Sequence, residues 1–542
     1  MKRLRKVLVV GGGTAGWLTA CYLAKAVNAA DPASVQVHLV ESDRIGLIGY
    51  GESTFPSIRG TLSAIGLDER RFLVETTATY KQGIRFRHWV RPPGAPGKDH
   101  FFHPFSVPSQ RPGGPELLPY WLLGAAPAGL GFADAVTMQS LVVDRARAPK
   151  RQRDPDYQGP MNHAYQFDAG RFALLLAEHG QQALGIQRHV ATVERAVLDD
   201  HGDIARLVTT ELGELEADLY VDCTGMRAGL IGEALQSPYR SCSDVLFTDR
   251  AVTMQAPYPR PDAPIPSFTL CTAQDSGWVW DIGLQQRRGV GYVYSSRHTD
   301  ATRAEETFRR YLGSAADGQE ATHIRFDNGY RPEAWRGNCV AVGLSGGFVE
   351  PLESTGIALI ELAAYLITHL LPGDRAGMEH AARHFNAMMS ARYERIVDFI
   401  KMHYCLTQRR DSAFWIDNAD PAGIPPSLQD KLAQWRHRPP HRLDFVGDLE
   451  MFLVSSWQYM LYGMEFETNL EPLRSAYPRG VEASREFAMI RQAAMQALDD
   501  LPDHRALVER LCDEYRRRTH ARTQREYGHR LSHADAPNVR EA

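Results

Sequence analysis

An α/β fold with a mainly helical C-terminal region is what this sequence predicts, and three observations predict it. A short apolar run, KVLVV (6–10), precedes a segment with helical spacing, TAGWLTACYLAKAV (14–27), and a second apolar run, VQVHLV (35–40). Two later segments, ADLYVDCTG (217–225) and GNCVAVGLSGG (337–347), each run from a strand pattern into a glycine turn. From about residue 375 onward the pattern is helical, with no further strand–glycine unit. Strand–helix–strand order of this kind builds a parallel sheet covered by crossover helices.

The first turn carries chemistry. Gly11-Gly12-Gly13-Thr14-Ala15-Gly16 contains G-x-G-x-x-G, from Gly11 through Gly13 to Gly16, between the first strand and its helix. Glycine lets the backbone turn tightly and approach a pyrophosphate, which the positive end of the helix dipole attracts. An acid at the end of the second strand takes the ribose hydroxyls, and Glu41 stands there. The loop alone does not choose between NAD and FAD. The two later strand–turn segments suit the crossings that wrap an extended FAD. A second G-x-G-x-x-G, which a separate NAD(P)H domain would need, is not in the sequence.

Composition narrows the rest. The 542 residues are 44% hydrophobic and 23% charged, with a formal net charge of −4. No bulk electrostatic pull towards nucleic acid exists at that balance. Seven cysteines, none in a C-x-x-C pair, give neither a zinc site nor a disulfide framework and fit a reducing compartment. No apolar segment approaches the roughly 20 residues that cross a bilayer, and the apolar run after MKRLR is too short for a signal sequence. The expected location is cytoplasmic. RPPGAPGKDH and SVPSQRPGGPELLP read as long loops, RARAPKRQRDPD (145–156) as a solvated basic loop, and the last thirty residues as a polar, frayed end.

Several blocks then resemble the flavin-dependent tryptophan halogenase family, from about residue 6 to about residue 415. They are GGGTAGW, IGYGESTFPSI, YKQGIRF, AYQFDAGRF, DRAV, GWVWDIG, GYVYSS, FVEPLESTGI and HYCLTQRRDSAFW, in family order. The resemblance implies a Rossmann-like FAD-binding fold of the flavin monooxygenase type. It implies that FADH2 from a separate flavin reductase, with O2, oxidises bound chloride or bromide to hypohalous acid, which crosses a closed tunnel to an arene. Lys81 aligns with the family's invariant lysine and would present electrophilic halogen to an aromatic carbon. Glu353 would lie near it, polarising hypohalous acid or taking the arene proton. Thr355 and Gly356 open an apolar helix, and their free N–H groups would hold the halide. Leu344 and Ile357 would line the isoalloxazine, while Ser42, Ser53 and Val193 would touch other parts of FAD. His103 and Phe105 match positions that pack around an indole. Trp278 and Trp280, two apart on one strand face, would block a monooxygenase-like approach to the flavin.

The chain departs from the family pattern in two places. Gly283 stands where the G-W-x-W-x-I-P signature has proline, which should loosen one turn. The segment RPPHRLDFVGDLEMFLVSSWQYMLYGMEF (438–466) has no Tyr-Tyr pair followed by a matching acid to clamp a free amino acid. An uncompensated zwitterion is costly to bury. The expected arene is therefore an indole derivative or a tryptophan within a peptide, with free L-tryptophan as the alternative. A flavin-dependent aromatic hydroxylase is a second alternative, though Gly343-Leu344-Ser345 replaces the Gly-Asp of that class. A third is a flavin-binding protein without activity. Residues 1–375 form the expected FAD-binding core, and 376–542 complete the arene site without being an independent domain. A homodimer stays open.

Overall fold

The computed structural model describes residues 4–27, 35–44 and 52–534, the last thirteen of these by backbone alone. Strand β1 (Lys6–Val10), helix α1 (Thr14–Val27) and strand β2 (Gln36–Glu41) fall where the periodicity puts them. β1 lies at the centre of a six-stranded sheet. Its neighbours are β2, then Gln187–Val190 on one side, and Leu219–Asp222, Cys339–Ala341 and Trp335–Arg336 on the other. All pairings are parallel except the outermost, Trp335–Arg336 with Cys339–Ala341. The two strand–glycine segments read from sequence are thus the strands next to β1 and next but one. A parallel sheet is buried on both faces, which is why these strands read as nearly unbroken apolar runs.

A seven-stranded sheet lies beside it, running Thr322–Arg325, Arg250–Pro257, Arg287–Tyr294, Gly277–Gly283, Thr269–Gln274, Gly83–Arg87, His100–Pro104. A small antiparallel sheet pairs both Glu52–Ser53 and strand β3 (Thr79–Lys81) with Ala164–Phe167. After Phe348 the described residues contain helices and no strand. Two of these helices matter for the site: α2 (Thr355–Leu370) and α3 (Met378–Cys405). The 28 residues of α3 extend about 42 Å. One apolar cluster contains Trp17 of the parallel sheet's first helix, Trp278 of the large sheet, Ile357 of α2 and Phe399 of α3. Each such side chain stabilises by about 1.5–3 kcal/mol through burial.

Three expectations need correction. The basic run 145–156 is not a solvated loop at Lys150. That side chain is buried and its Nζ donates to Glu69 Oε2 at 2.6 Å and to Pro155 O at 2.8 Å. The C-terminal end is not frayed over thirty residues; a helix runs from His504 to Ala534, and residues 535–542 lie outside the described ones. Gly283 does not loosen a turn. It ends the strand Gly277–Gly283, its N–H donates to Gln166 Oε1 at 3.1 Å, and its carbonyl accepts from Thr79 Oγ1 at 2.5 Å.

Candidate active site

The segment Glu350–Ser354 turns the chain into α2. Pro351–Glu353 form one 3₁₀ turn, and Ser354 follows at φ +60°, ψ 37°. A left-handed serine costs on the order of 1 kcal/mol, a strain characteristic of functional turns. Ser354 is the N-cap of α2, yet its hydroxyl makes no capping bond. Instead it accepts from Lys81 Nζ at 3.0 Å. The first N–H groups of α2, Thr355 and Gly356 among them, therefore have no side-chain cap. Thr355 Oγ1 is buried without a partner, and a Cβ placed on Gly356 would meet nothing within 4 Å. An open space edged by N–H donors and an unpaired hydroxyl fits an anion.

Lys81 ends β3 and is fully buried. Its other bond runs from Nζ to Thr54 O, 3.3 Å away, and the Phe105 ring lies 5.1 Å from Nζ. Both hydrogen-bond partners are uncharged. Burial pushes the amine down to about 7, against the opposing pull of Glu353. Near neutral pH a large share of the amine is thus neutral and nucleophilic.

Glu353 is buried between two imidazoles. His103 Nδ1 lies 3.1 Å from each carboxylate oxygen, and His403 Nε2 lies 2.8 Å from Oε1. Burial alone would raise this carboxyl. The charge and hydrogen bonds of His103 and His403 outweigh it and hold the group at about 2. Glu350, three residues earlier, behaves in the opposite way. Its Oε2 accepts from Trp278 Nε1 at 2.9 Å and Tyr404 OH at 2.7 Å, while Oε1 is buried without a partner. Burial raises Glu350, and the bonds from Trp278 and Tyr404 only partly offset it. Consecutive residues of α3, His403 and Tyr404, thus grip the two carboxylates of one turn.

A Cβ on Gly13 would meet nothing within 4 Å, the free space a pyrophosphate needs. The turn at Leu344 lies against the same helix start, since a Cβ on Gly343 would stand 2.8 Å from Ala15 Cβ. Ile357 is buried one residue beyond Gly356. Glu41 does not stand free for a ribose. It pairs with Arg188 at 2.5 Å, accepts from Trp17 Nε1 at 3.4 Å, and lies so close over Gly12 that any side chain there would collide. Glu41 and Ser42 border a cavity of about 560 Å³, and Ser42 Oγ hydrogen-bonds Thr192 Oγ1, next to Val193, at 2.8 Å. Ser53 Oγ hydrogen-bonds Thr269 Oγ1 at 2.8 Å, one residue before the Thr54 carbonyl that holds Lys81. The open cradle at Gly13 and the cavity beside Ser42 fit FAD, provided Glu41 exchanges Arg188 for the ribose. Residues 45–51 of the IGYGESTFPSI block lie outside the described ones.

Trp278 and Trp280 share a strand face as predicted, their rings 6.2 Å apart. Three contributors are missing from the sequence reading: Ser354, Thr54 and His403. Thr54 acts through its carbonyl, which no residue type signals. His403 lies inside the HYCLTQRRDSAFW block, but nothing local distinguishes it from a core histidine. Among the described residues, no group of His, Cys, Asp and Glu could hold a metal, and no helix is long and apolar enough to cross a membrane.

Comparison with known proteins identifies the family. A family profile described as tryptophan halogenase matches residues 6–479. Tryptophan 6-halogenase SttH of Streptomyces toxytricini is 36% identical over 522 residues, covering 92% of this chain and 96% of its own. The crystal structure of a tryptophan halogenase from Shewanella frigidimarina NCIMB 400 superposes with a TM-score of 0.90 at 39% identity, covering 94% of this chain and 98% of its own. MibH, a lanthipeptide tryptophan 5-halogenase, superposes with a TM-score of 0.77 at 28% identity, covering 94% and 93%. The chain belongs to the flavin-dependent tryptophan halogenase family and is an enzyme of the oxidoreductase kind.

Proposed function

We propose that this enzyme halogenates a ring carbon of an indole-type arene through Lys81, and that residues 376–542 complete the arene site. The observation that carries the reading is a fully buried lysine with two uncharged partners, bonded to the turn that opens α2. Bound FAD, delivered reduced by a separate cytoplasmic flavin reductase, would supply with O2 the oxidising power that turns chloride or bromide into hypohalous acid. The open face at Gly13 would receive its pyrophosphate, with Gly11 and Gly16 packed closely to shape that turn, and Thr355 and Gly356 would receive the halide. The neutral Lys81 amine accepts the halogen, or hydrogen-bonds the hypohalous acid, and presents it to the ring. The oxygen leaves as water. Glu353 keeps a standing negative charge that stabilises the cationic ring before proton loss. A carboxyl at about 2 is a weak base, but an arenium ion is a far stronger acid and can still give it a proton. Burial in aromatic surroundings keeps water from the halogen on Lys81.

For the arene, the 438–466 segment favours an indole derivative or a peptide-embedded tryptophan. Glu450 within it is bound to Arg395 at 2.7 Å, and Arg392 is bonded to the Asp448 carbonyl, so a buried acid there is already committed. MibH, by its name, is a precedent for a peptide substrate on this fold. Free L-tryptophan is the second reading, favoured by relatives such as SttH that are named for tryptophan itself. The test is kcat/KM with a flavin reductase, NADH and bromide across free tryptophan, simple indoles and tryptophan-containing peptides. Indoles or peptides should outperform free tryptophan; the reverse order establishes the second reading. Glu353→Gln should lose about 10²-fold or more. A hydroxylated product, or a fully active Glu353→Gln, overturns the mechanism.

A further inference from the structure

Both ring nitrogens of His403 face acceptors. Nδ1 lies 2.8 Å from Phe399 O, and Nε2 lies 2.8 Å from Glu353 Oε1. A carbonyl and an ionised carboxylate only accept, so each bond needs its own proton, and a neutral imidazole has one. The His403–Glu353 pair must therefore hold one proton more than neutral imidazole and carboxylate together. Glu353 also takes His103 Nδ1 at 3.1 Å from each of its oxygens, so the carboxylate is the acceptor towards both rings and the extra proton belongs on His403.

The consequence falls on Lys81. Among the described residues no carboxylate lies within ion-pair distance of its amine, while Glu353 is the carboxylate that acts on it through space. We propose that His403 is a positioning residue: as an imidazolium it offsets part of the Glu353 charge felt at Lys81, and so keeps more of the amine neutral at working pH than Glu353 alone would allow. This rests on the reading of Lys81 as the halogen-delivering group.

The surroundings leave few other controls. Facing Lys81 are Glu353 and Ser354 from the turn, Thr54 O, the Phe105 ring, and Cys271 from the strand Thr269–Gln274. Burial pushes the Cys271 thiol far up, so it carries no charge. Facing Glu353 are His103 and His403. Around His403 stand the rings of Phe86, Trp89 and Phe399. Glu350 points the other way, to Trp278, Tyr404 and the through-space charge of Lys401.

The experiment is the pH profile of kcat for halogenation. In the wild type an acid limb should report deprotonation of Lys81, activity rising with pH through about 7. His403→Gln keeps an N–H donor for Glu353 but removes the positive charge. The uncancelled carboxylate then favours the charged amine, and the limb should move to higher pH by about one unit or more. The double variant His403→Gln/Glu353→Gln removes both charges, and its limb should return to the wild-type position or fall below it even though kcat is low. A merely structural role for His403 would lower kcat at every pH and leave the limb in place, which overturns the proposal. If the single variant does not fold, the double variant, which buries no uncancelled carboxylate, decides: a limb displaced to higher pH overturns. Lys81→Ala that still halogenates would overturn the delivery reading instead. Lys81→Ala without activity, with an unmoved limb in His403→Gln, overturns this inference alone.

Discussion

Lys81 and Lys150 are buried to nearly the same depth, 0% and 2% exposed, and differ in their partners. Lys150 meets the Glu69 carboxylate at 2.6 Å, and Glu69 is further held by Tyr165 OH at 2.6 Å and Tyr157 N at 2.9 Å. Lys81 meets a carbonyl and a hydroxyl. A buried charge is tolerated when paired and satisfied, and otherwise the group gives up its charge. Lys150 thus anchors the 145–156 loop to the fold, while Lys81 becomes a reactive amine. Lys401 is a third case: buried, bonded to Asn418 Oδ1 at 3.2 Å, and pushed down by burial to about 8. Depth alone therefore does not separate an architectural lysine from a chemical one; the charge of the nearest acceptor does.

The contrast can be broken by exchanging the two residues' roles. The largest effect belongs to Lys81→Met, which should cut halogenated product by about 10³-fold while FAD binding and oxygen consumption persist. Product assays beside oxygen-electrode traces check this. An equal loss in Lys150→Met at equal folded fraction would erase the distinction. Next comes stability. Lys150→Met leaves Glu69 buried and unpaired and should cost about 3–5 kcal/mol in denaturant unfolding, whereas Glu69→Met/Lys150→Met should recover most of it. Lys81→Met should cost little or even stabilise.

The smallest effect is a pH dependence. Folded Lys81 is held at about 7 and an unfolded lysine titrates near about 10.4. Between these values the unfolded chain binds more protons, so stability from this group rises with pH. The stability advantage of Lys81→Met over wild type should be greatest below about pH 7 and close towards about pH 10. A difference that does not change with pH would mean that Lys81 stays charged in the fold.

Much of the scaffold is written locally. The apolar run 6–10, the glycine turn and the helical spacing of 14–27 each occupy consecutive residues, and the structure places β1 and α1 on those bounds. The helix start at Thr355 is legible for the same reason. The site is another matter. Lys81 meets Ser354 across 273 positions and Thr54 across 27, and Glu353 meets His103 across 250. No periodicity links such residues, so family resemblance, not residue pattern, singled out Lys81 and Glu353. It did not expose the role of His403, because a role defined by two acceptors is visible only when both are in place. Gly283 shows the converse: a departure in the motif looked like a loss, and its partner Gln166 lies 117 positions away.

That bond limits what position 283 can become. A proline at 283 has no N–H, so it would leave Gln166 Oε1 without this donor, and its ring would arrive where Tyr258 OH stands 2.9 Å from a Cβ. Restoring the family's signature in one step is therefore uphill. A tolerated proline at 283 therefore needs compensating changes at both Gln166 and Tyr258.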